Sequence, residues 1–275
     1  MQRSAGPGTT PHPILRKYYD DERQRQPFVT AMFDRAARHY ERVCDLGSFG
    51  SSRFYRGWIL RRSGVRPGMT LLDVATGTGP VARSAVRIAG AGVVGLDPSA
   101  GMLAEARKTV AAPLVQGQAE TLPFRDARFD FVTIGYALRH VADLEVTFRE
   151  FLRVLKPGGR VLVLEISRPT SPVLAWVLRV HLQTIVPALM RLFARARVKV
   201  LTQYYWDTIA ECVPPETILD VMRRTGFTGV ERQLRGGLLS EYVATKPHSA
   251  DGVRAGVDPA QAVPSQQPQQ SPTVC

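Results

Sequence analysis

The stretch Thr70–Ala82, which reads TLLDVATGTGPVA, constrains the fold more than any other part of the chain. Its first five residues are apolar or β-branched apart from Asp73, which is typical of a buried strand. Gly77 and Gly79 then permit a tight turn and a close approach of the backbone to a ligand. Pro80 suits the first turn of a helix. A strand, a glycine turn and a helix in this order predict a nucleotide site at the carboxyl end of the strand.

Two acidic residues indicate which nucleotide this site binds. A second apolar strand, Val93–Leu96, ends in Asp97, which lies about 18 residues after Gly79 and is placed to bond ribose hydroxyls. The glycine spacing alone also fits an NAD(P) oxidoreductase. Asp73 favours S-adenosylmethionine (SAM), because a carboxylate there repels a pyrophosphate and attracts an ammonium and a sulfonium. The alternative is that Asp73 only caps the following turn.

Strands and helices alternate along the rest of the chain. This alternation predicts an α/β fold: a Rossmann-like, seven-stranded mixed sheet with an antiparallel C-terminal hairpin, N-terminal helices, and a helical insertion before the sixth strand. The predicted strands are 70–74, 93–96, 114–116, 129–134, 160–166, 230–234 and 239–245, and the predicted helices between them are 80–89, 100–110, 144–155 and 215–225.

Composition divides the chain into three regions. We predict a disordered or surface segment over 1–27, a SAM-binding domain over 28–247, and a disordered tail over 248–275. Within the domain, the insertion 171–208 has two amphipathic helices with a basic outer face. A lid, a homodimer face and a peripheral membrane contact through 171–200 are all compatible with this pattern. An ordinary helix pair packed on the core, with a solvated basic edge, is the alternative.

The charge balance raises the question of an acidic partner. The 275 residues carry a net charge of +12, which suits nucleic acid or an anionic membrane. The arginines are spread along the chain without an aromatic platform, so we expect no nucleic-acid partner and keep an RNA-binding methyltransferase as the alternative class. Three scattered cysteines argue against a disulfide framework or a metal site. No uncharged apolar run reaches about 18 residues, so we expect a cytoplasmic protein, with contact at the inner face of a membrane left open.

Candidate site residues follow the strands at one edge of the predicted sheet. Met102 is placed to cover the adenine face of the cofactor, with core packing as the alternative. Gln118 and the backbone of Ala119 follow the third strand and are able to read the adenine edge by hydrogen bonds. These three residues extend the predicted cofactor site beyond the glycine turn.

The residues after the fourth strand are candidates for catalysis, because a transferred group would meet its acceptor there. His140 is a candidate base, and Arg139 is suited to bind an anionic oxygen or an aromatic ring. Tyr136 and, from the first helix, Tyr40 are placed to orient the cofactor or the substrate. A structural histidine and a salt bridge from Arg139 to a neighbouring Asp are the alternatives.

The segment from Phe33 to about Lys246 resembles the ubiquinone/menaquinone biosynthesis C-methyltransferases. The resemblance is carried by Arg153–Ser167, which reads RVLKPGGRVLVLEIS, by Ala119–Phe124, which reads AETLPF, and by Leu138 with Arg139. It implies that Arg139 lies in the substrate pocket. It also implies that SAM is surrounded by Asp73, Gly77, Gly79, Asp97, Gln118 and Ala119.

The resemblance also implies the reaction. We expect a SAM-dependent methyltransferase that acts on a small aromatic acceptor, at a ring carbon of a prenylated benzoquinol or naphthoquinol. Another small aromatic or lipid-like metabolite is the alternative. The sequence departs from the family where the acceptor would bind: the usual Leu-Arg-Asn is Leu138–His140, and Arg53–Arg56 occupy the region of a family His and Trp.

Overall fold

The computed structural model describes residues 9–47, 52–90, 92–194 and 198–248. The expected disorder of residues 1–8 and 249–275 lies outside the described residues. The helices are α1 Glu22–Gly47, α2 Ser52–Arg62, α3 Pro80–Ala89, α4 Ala100–Ala106, α5 Leu144–Val154, α6 Pro172–Val180, α7 Val186–Ala194, α8 Lys199–Glu211 and α9 Pro215–Thr225. The strands are β1 Leu71–Val74, β2 Val93–Asp97, β3 Leu114–Gln116, β4 Phe129–Gly135, β5 Leu155–Ile166, β6 Thr228–Arg235 and β7 Leu239–Thr245.

All seven strands form one sheet in the order β3-β2-β1-β4-β5-β7-β6. The first five strands are parallel, and β7 runs antiparallel to both β5 and β6. The predicted mixed sheet with an antiparallel C-terminal hairpin is therefore confirmed. The strand order reverses between β1 and β4, which places a ligand crevice at their carboxyl ends.

Apolar residues on both faces of the sheet hold the helices in place. β1 is buried along its whole length, and α5 turns Phe148 and Phe151 into the core between the sheet and α9. Asp143 caps α5 by accepting hydrogen bonds from the first-turn N–H groups. The predicted helix 144–155 ends at Val154, and β5 begins at Leu155, five residues earlier than predicted. The lysine-proline-glycine segment thus lies in an irregular first part of β5.

The described part of the segment 1–27 contains the start of a helix and buried side chains. Helix α1 begins at Glu22, and residues 9–21 pack against the domain with His12 and Tyr19 almost completely buried. The Leu144 N–H donates to the Thr9 carbonyl at 2.9 Å. The buried guanidinium of Arg25 donates to the His12 carbonyl at 2.8 Å. Because the buried contacts come from residues far away in the chain, local composition does not reveal this packing.

The insertion forms a longer helical unit than the two predicted helices. Helices α6 and α7 are continuous through one π-helical turn, and α8 follows. The run Pro172–Leu192 has the length and composition of a membrane-crossing helix, with a mean hydropathy of 1.5, and 28% of its most apolar window is buried. Its Leu182 and Met190 pack on α8 and α1. We therefore describe it as a helix that lies on the domain with one apolar face uncovered.

Candidate active site

A cavity opens at the carboxyl ends of β1, β2 and β4, between the sheet and α1. It contains about 720 Å³ of empty space, its open mouth included. Helix α1 supplies Val29, Thr30 and Phe33 to the wall opposite the sheet. Most of the predicted site residues line this cavity: Tyr40, Gly77, Asp97, Met102, Gln118, Ala119, Tyr136 and His140. Asp73, Gly79 and Arg139 do not.

The glycine turn and Asp97 form the floor of the cavity. Gly77 has a φ of 58° and Gly79 a φ of 85°, a region that side-chain-bearing residues rarely adopt. The Asp97 carboxylate accepts from the Gly77 N–H at 2.7 Å and from the Ser99 N–H at 2.9 Å. It therefore fixes the turn while it faces the cavity. Gly79, which was predicted to contact SAM, leaves no room for a β-carbon beside Val110, and its contact with the cofactor stays a prediction.

Asp73 is not among the residues that line the cavity, and its contact with the cofactor stays a prediction. Its two oxygens accept hydroxyl hydrogen bonds from Thr76 at 2.6 Å and from Thr133 at 2.7 Å. Burial raises the pKa of its carboxyl to about 6. The side chain thus joins β1, its turn and β4, and it supports the floor of the cavity from below.

The far side of the cavity is apolar with a few polar groups. Met102 is 2% exposed, while Gln118 and Ala119 form the adjoining wall. Asp34 of α1 accepts from the Ser99 hydroxyl at 2.6 Å and from the Gly101 N–H at 2.8 Å, which holds α1 against α4. This wall suits an adenine ring, which needs apolar faces and hydrogen bonds at its edge. The contacts of these residues with a cofactor stay predictions.

His140 lies at the other end of the cavity in an aromatic cage. Its ring stacks on Tyr204, with centroids 5.4 Å apart and planes at 22°, and on Tyr205 at 6.2 Å and 24°. Phe33 meets it edge-on at 5.4 Å. Neither ring nitrogen has a hydrogen-bond partner within the described residues. Burial, and then the charge of Arg139, holds the pKa of the imidazole well below its usual value, so the ring is neutral at pH 7.

Arg139 is buried behind this cage and is not among the residues that line the cavity, so its place in the substrate pocket stays a prediction. Its Nη1 donates to Glu165 Oε2 at 2.6 Å, and both side chains are almost completely buried. Its guanidinium lies 5.3 Å from the ring centroid of Tyr205. A salt bridge of Arg139 is observed, but its partner is a glutamate of β5 and not the neighbouring Asp of the alternative. Arg139 therefore positions the cage.

Tyr136 and Tyr40 bring two phenols to the cavity. Tyr136 has a φ of 61°, an unusual value for a residue with a side chain, and such strained residues cluster at functional sites. Burial raises the pKa of its hydroxyl to about 12, so it is protonated and able to donate. Tyr40 of α1 lies beside the glycine turn and packs against Phe33 and Tyr205.

Sequence reasoning missed four residues around the site. They come from elements whose position relative to the sheet is set by tertiary packing: Arg56 on α2, Glu165 at the end of β5, and Tyr204 with Tyr205 on α8. A pair of adjacent tyrosines in an apolar helix was the available signal for the cage. Glu165 stood within the recognised Arg153–Ser167 segment, but its partner was not evident from it.

The fold and the site together define a SAM-dependent methyltransferase of the Rossmann-like class. The sheet order, the left-handed glycine turn and the carboxylate after β2 provide a floor for the sugar and the amino-acid end of SAM. A sequence profile of the ubiE/COQ5 methyltransferase family matches residues 19–246. The chain therefore belongs to the ubiE/COQ5 methyltransferase family.

Curated relatives cover most of the chain. A demethylmenaquinone methyltransferase of Lactococcus lactis is 34% identical over 79% of this chain and 89% of its own length. The ubiquinone/menaquinone biosynthesis C-methyltransferase UbiE of Idiomarina loihiensis is 36% identical over 79% of this chain and 90% of its own. The family resemblance inferred from the sequence motifs is thus confirmed, and SAM is the cofactor of this chain.

Solved structures support the fold at lower identity. A SAM-dependent methyltransferase from Aquifex aeolicus superposes with a TM-score of 0.52 at 15% identity, over 69% of this chain and 88% of its own. A phosphoethanolamine N-methyltransferase 2 of Haemonchus contortus in complex with S-adenosyl-L-methionine gives 0.52 at 20% identity, over 70% and 52%. These likenesses concern the fold alone.

Proposed function

We propose that this chain methylates a ring carbon of a prenylated benzoquinol or naphthoquinol. The names of the two curated relatives support this substrate class. The observation that carries it is the aromatic cage: a neutral, unpaired imidazole faces the cavity among Phe33, Tyr204 and Tyr205. Such walls suit a flat aromatic ring, and the imidazole offers its hydroxyl a proton acceptor.

Methyl transfer requires the protein to align SAM with the acceptor ring and to accept one proton from a ring hydroxyl. When bound, SAM supplies a methyl group on a sulfonium, and the carbon–sulfur bond breaks with its electron pair kept on sulfur as the acceptor carbon bonds the methyl. The cage excludes water and holds the acceptor ring at the end of the cavity. A nitrogen of His140 takes the proton of a ring hydroxyl, which makes the neighbouring ring carbon nucleophilic. The methylated carbon then releases its proton to solvent, the ring oxygen takes back the proton held by His140, and the ring becomes an aromatic quinol again.

The environment of His140 defines how it acts as a base. Its pKa is held low by burial and by the charge of Arg139, so the free base form is fully available at pH 7. A weak base of this kind works through position, since it is fixed against Tyr204 and its carbonyl accepts from Gln26 Nε2 at 2.9 Å. Protonation of the imidazole at low pH would remove the acceptor.

Product analysis tests the proposal. The purified chain is incubated with SAM and a reduced demethylnaphthoquinol that has a short prenyl tail, and the product is analysed by mass spectrometry and NMR. We expect a methyl group on the ring carbon. His140→Gln should lower kcat at least about 10-fold with an unchanged Kd for SAM, while His248→Gln, at an exposed histidine, should match the wild type. A methyl group on oxygen, or no turnover, would contradict the proposal.

The place where a prenylated acceptor would enter is the second part of the proposal. An apolar surface on α2 and α6 contains Phe54, Trp58, Val173, Trp176 and Val177, which are 47–86% exposed. We call it the α2–α6 surface. Exposed aromatic and aliphatic patches of this kind mark interaction sites. We assign it to the surface of an anionic membrane, where the prenyl tail would reside.

The turn between β6 and β7 joins the two halves of the α2–α6 surface. The guanidinium of Arg235 lies 5.6 Å from the ring centroid of Trp58. On the other side of the turn, a β-carbon on Gly237 would lie 3.6 Å from Leu174 Cδ2 of α6. Leu239 pairs with Ile166 at the carboxyl end of β5, so this turn lies at the same sheet edge as the cavity. The surface is therefore next to the site that it would supply.

Charge complementarity favours a lipid as the occupant. Residues 166–206 contain no Asp or Glu but carry five arginines and a lysine. Residues 46–72 likewise contain no acid, and their Arg61, Arg62 and Arg66 are exposed. Basic residues around an exposed aromatic patch bind the headgroups of anionic lipids while the aromatic rings enter the interface.

A further inference from the structure

A second cavity lies on the opposite side of the glycine turn from the adenine wall. It contains about 730 Å³ of empty space with its open mouth and shares Tyr40 with the first cavity. Thr78 and Pro80, which follow Gly77, line it from the sheet side. Helices α1, α2 and α3 enclose the rest, and their side chains make it far more polar than the first cavity.

Arg56 of α2 points into this cavity without a partner of its own. The residue is 7% exposed, and its Nε is buried with no hydrogen bond. No hydrogen bond or ion pair joins its guanidinium to any other described residue. Its positive charge lies near enough to Asp73 and Tyr136 to act on the pKa of both side chains. Its own position is thus beside the carboxyl ends of β1 and β4.

The other arginines of the cavity are already engaged or exposed. Arg83 binds Glu41 at 2.5 Å and the Thr109 hydroxyl at 2.7 Å. Arg87 is exposed and donates to Ser84 at 3.2 Å. A buried guanidinium with no hydrogen-bond or ion-pair partner is costly unless a ligand supplies one. Arg56 is therefore the arginine of this cavity that is buried and able to bind an anionic ligand.

We infer that Arg56 binds the carboxylate of the amino-acid end of SAM. Asp97 and Gln118 lie on the ribose and adenine side of the glycine turn, so the amino-acid end extends to the other side, towards Tyr40 and Arg56. Asp73 was expected to attract the positive groups of SAM, the ammonium and the sulfonium. Arg56 instead binds the negative group, the carboxylate. The acidic Glu41, which also accepts from the Thr78 hydroxyl at 3.2 Å, gives the cavity both signs that an amino-acid zwitterion requires.

A quinol ring provides no reason for this charge, because it is uncharged before its proton is removed. The carboxylate of SAM is ionised at every physiological pH. The inference rests on SAM as the cofactor and is independent of the identity of the methyl acceptor.

Binding of two product analogues tests the inference. S-adenosylhomocysteine has the amino-acid end, and 5′-methylthioadenosine lacks it. Isothermal titration with the wild type, Arg56→Met and Arg56→Lys should show that Arg56→Met weakens S-adenosylhomocysteine about 10- to 100-fold and leaves 5′-methylthioadenosine unchanged. Arg56→Lys keeps the charge without the fork of donors and should fall in between. Arg61→Met removes an exposed charge from the same helix and should change neither constant.

The outcomes separate this inference from a structural role and from the proposed function. An equal loss for both analogues would mean that Arg56 only supports the fold, and no loss for either would remove it from the site. If Arg56→Met does not fold, the comparison of Arg56→Lys with the wild type decides. An intact preference for S-adenosylhomocysteine together with no methylation of a quinol would overturn only the proposed acceptor.

Discussion

Asp73 and Asp97 lie near the carboxyl ends of neighbouring strands, and burial raises the pKa of both carboxyls to about 6. Their hydrogen-bond partners differ. Asp97 accepts two backbone N–H bonds and faces the cavity. Asp73 accepts two hydroxyl bonds and faces the interior. Since a hydroxyl donates or accepts as needed, the interior would tolerate an amide in place of the Asp73 carboxylate far better than the Asp97 position would.

Replacement of Asp73 by asparagine should alter how stability depends on pH. The pKa of this carboxyl is about 6 in the folded chain and 3.8 as its ordinary value. Between pH 3.8 and 6 the folded state therefore binds more protons than the unfolded state does. Its contribution to stability is therefore complete below pH 4 and is lost as the pH rises through 6. In Asp73→Asn the free energy of unfolding should fall less steeply across this window, by up to about 1.4 kcal/mol per pH unit. Urea unfolding at several pH values measures the slope, and an unchanged slope would show that Asp73 is ionised throughout.

The sequence predicted which residues lie at the edge of the sheet that carries the site. It did not predict which of their side chains face the cavity. Asp97, Gln118, Tyr136 and His140 each follow a parallel strand, and parallel strands end at one edge, so their convergence was predictable. Whether a side chain at that edge turns to the cavity depends on the partners it meets. Those of Asp73 and Arg139 come from β4 and β5, 60 and 26 residues further along the chain, and local pattern does not reveal them.

Strand β5 and the short helical turn after β4 are joined by the ion pair of Arg139 and Glu165, which should matter far more for stability than a surface pair. Glu165→Gln leaves a guanidinium buried beside Tyr205 without its counter-charge, and the loss should be about 3–5 kcal/mol. The matched control is Asp220→Asn, which breaks the exposed pair with Arg223 on α9 and should cost no more than about 1 kcal/mol. Urea unfolding of the three proteins at pH 7 gives both values. Comparable losses would contradict the view that the buried pair holds these elements together.

Helices α1 and α8 show what periodicity reveals about an element and what it leaves open. Helix α1 is one of the predicted N-terminal helices, and its Phe33 and Tyr40 belong to its apolar face. The apolar face does not tell which neighbour it covers. Here α1 closes the cavity because Asp34 binds the start of α4, and α8 completes the cage because it packs on α1. Both contacts join residues far apart in the sequence, so the lid of the site was beyond prediction.

The sheet order governs the whole molecule, because it brings distant segments to one edge. Placing β7 beside β5 puts the β6–β7 turn at the carboxyl edge, next to the cavity. That turn then contacts α2 on one side and α6 on the other. The sequence predicted the seven strands and the basic helices, but the position of α2 and α6 on either side of this turn follows only from the sheet order.

Vesicle binding tests the assignment of the α2–α6 surface. The wild type should sediment with vesicles of equal parts phosphatidylcholine and phosphatidylglycerol, and less with phosphatidylcholine alone or at high salt, because basic residues surround the surface. Trp176→Glu replaces a ring that is 65% exposed by an acid and should lower the partition coefficient at least about 30-fold, from the loss of apolar burial and the added repulsion. Val146→Glu, at an exposed apolar residue of α5, is the matched control and should bind as the wild type does.

Two other outcomes would contradict the assignment. If the wild type does not bind vesicles but forms a dimer in sedimentation equilibrium, and Trp176→Glu dissociates this dimer, the surface belongs to a second copy of the chain. Equal vesicle binding by both variants would place the lipid contact elsewhere.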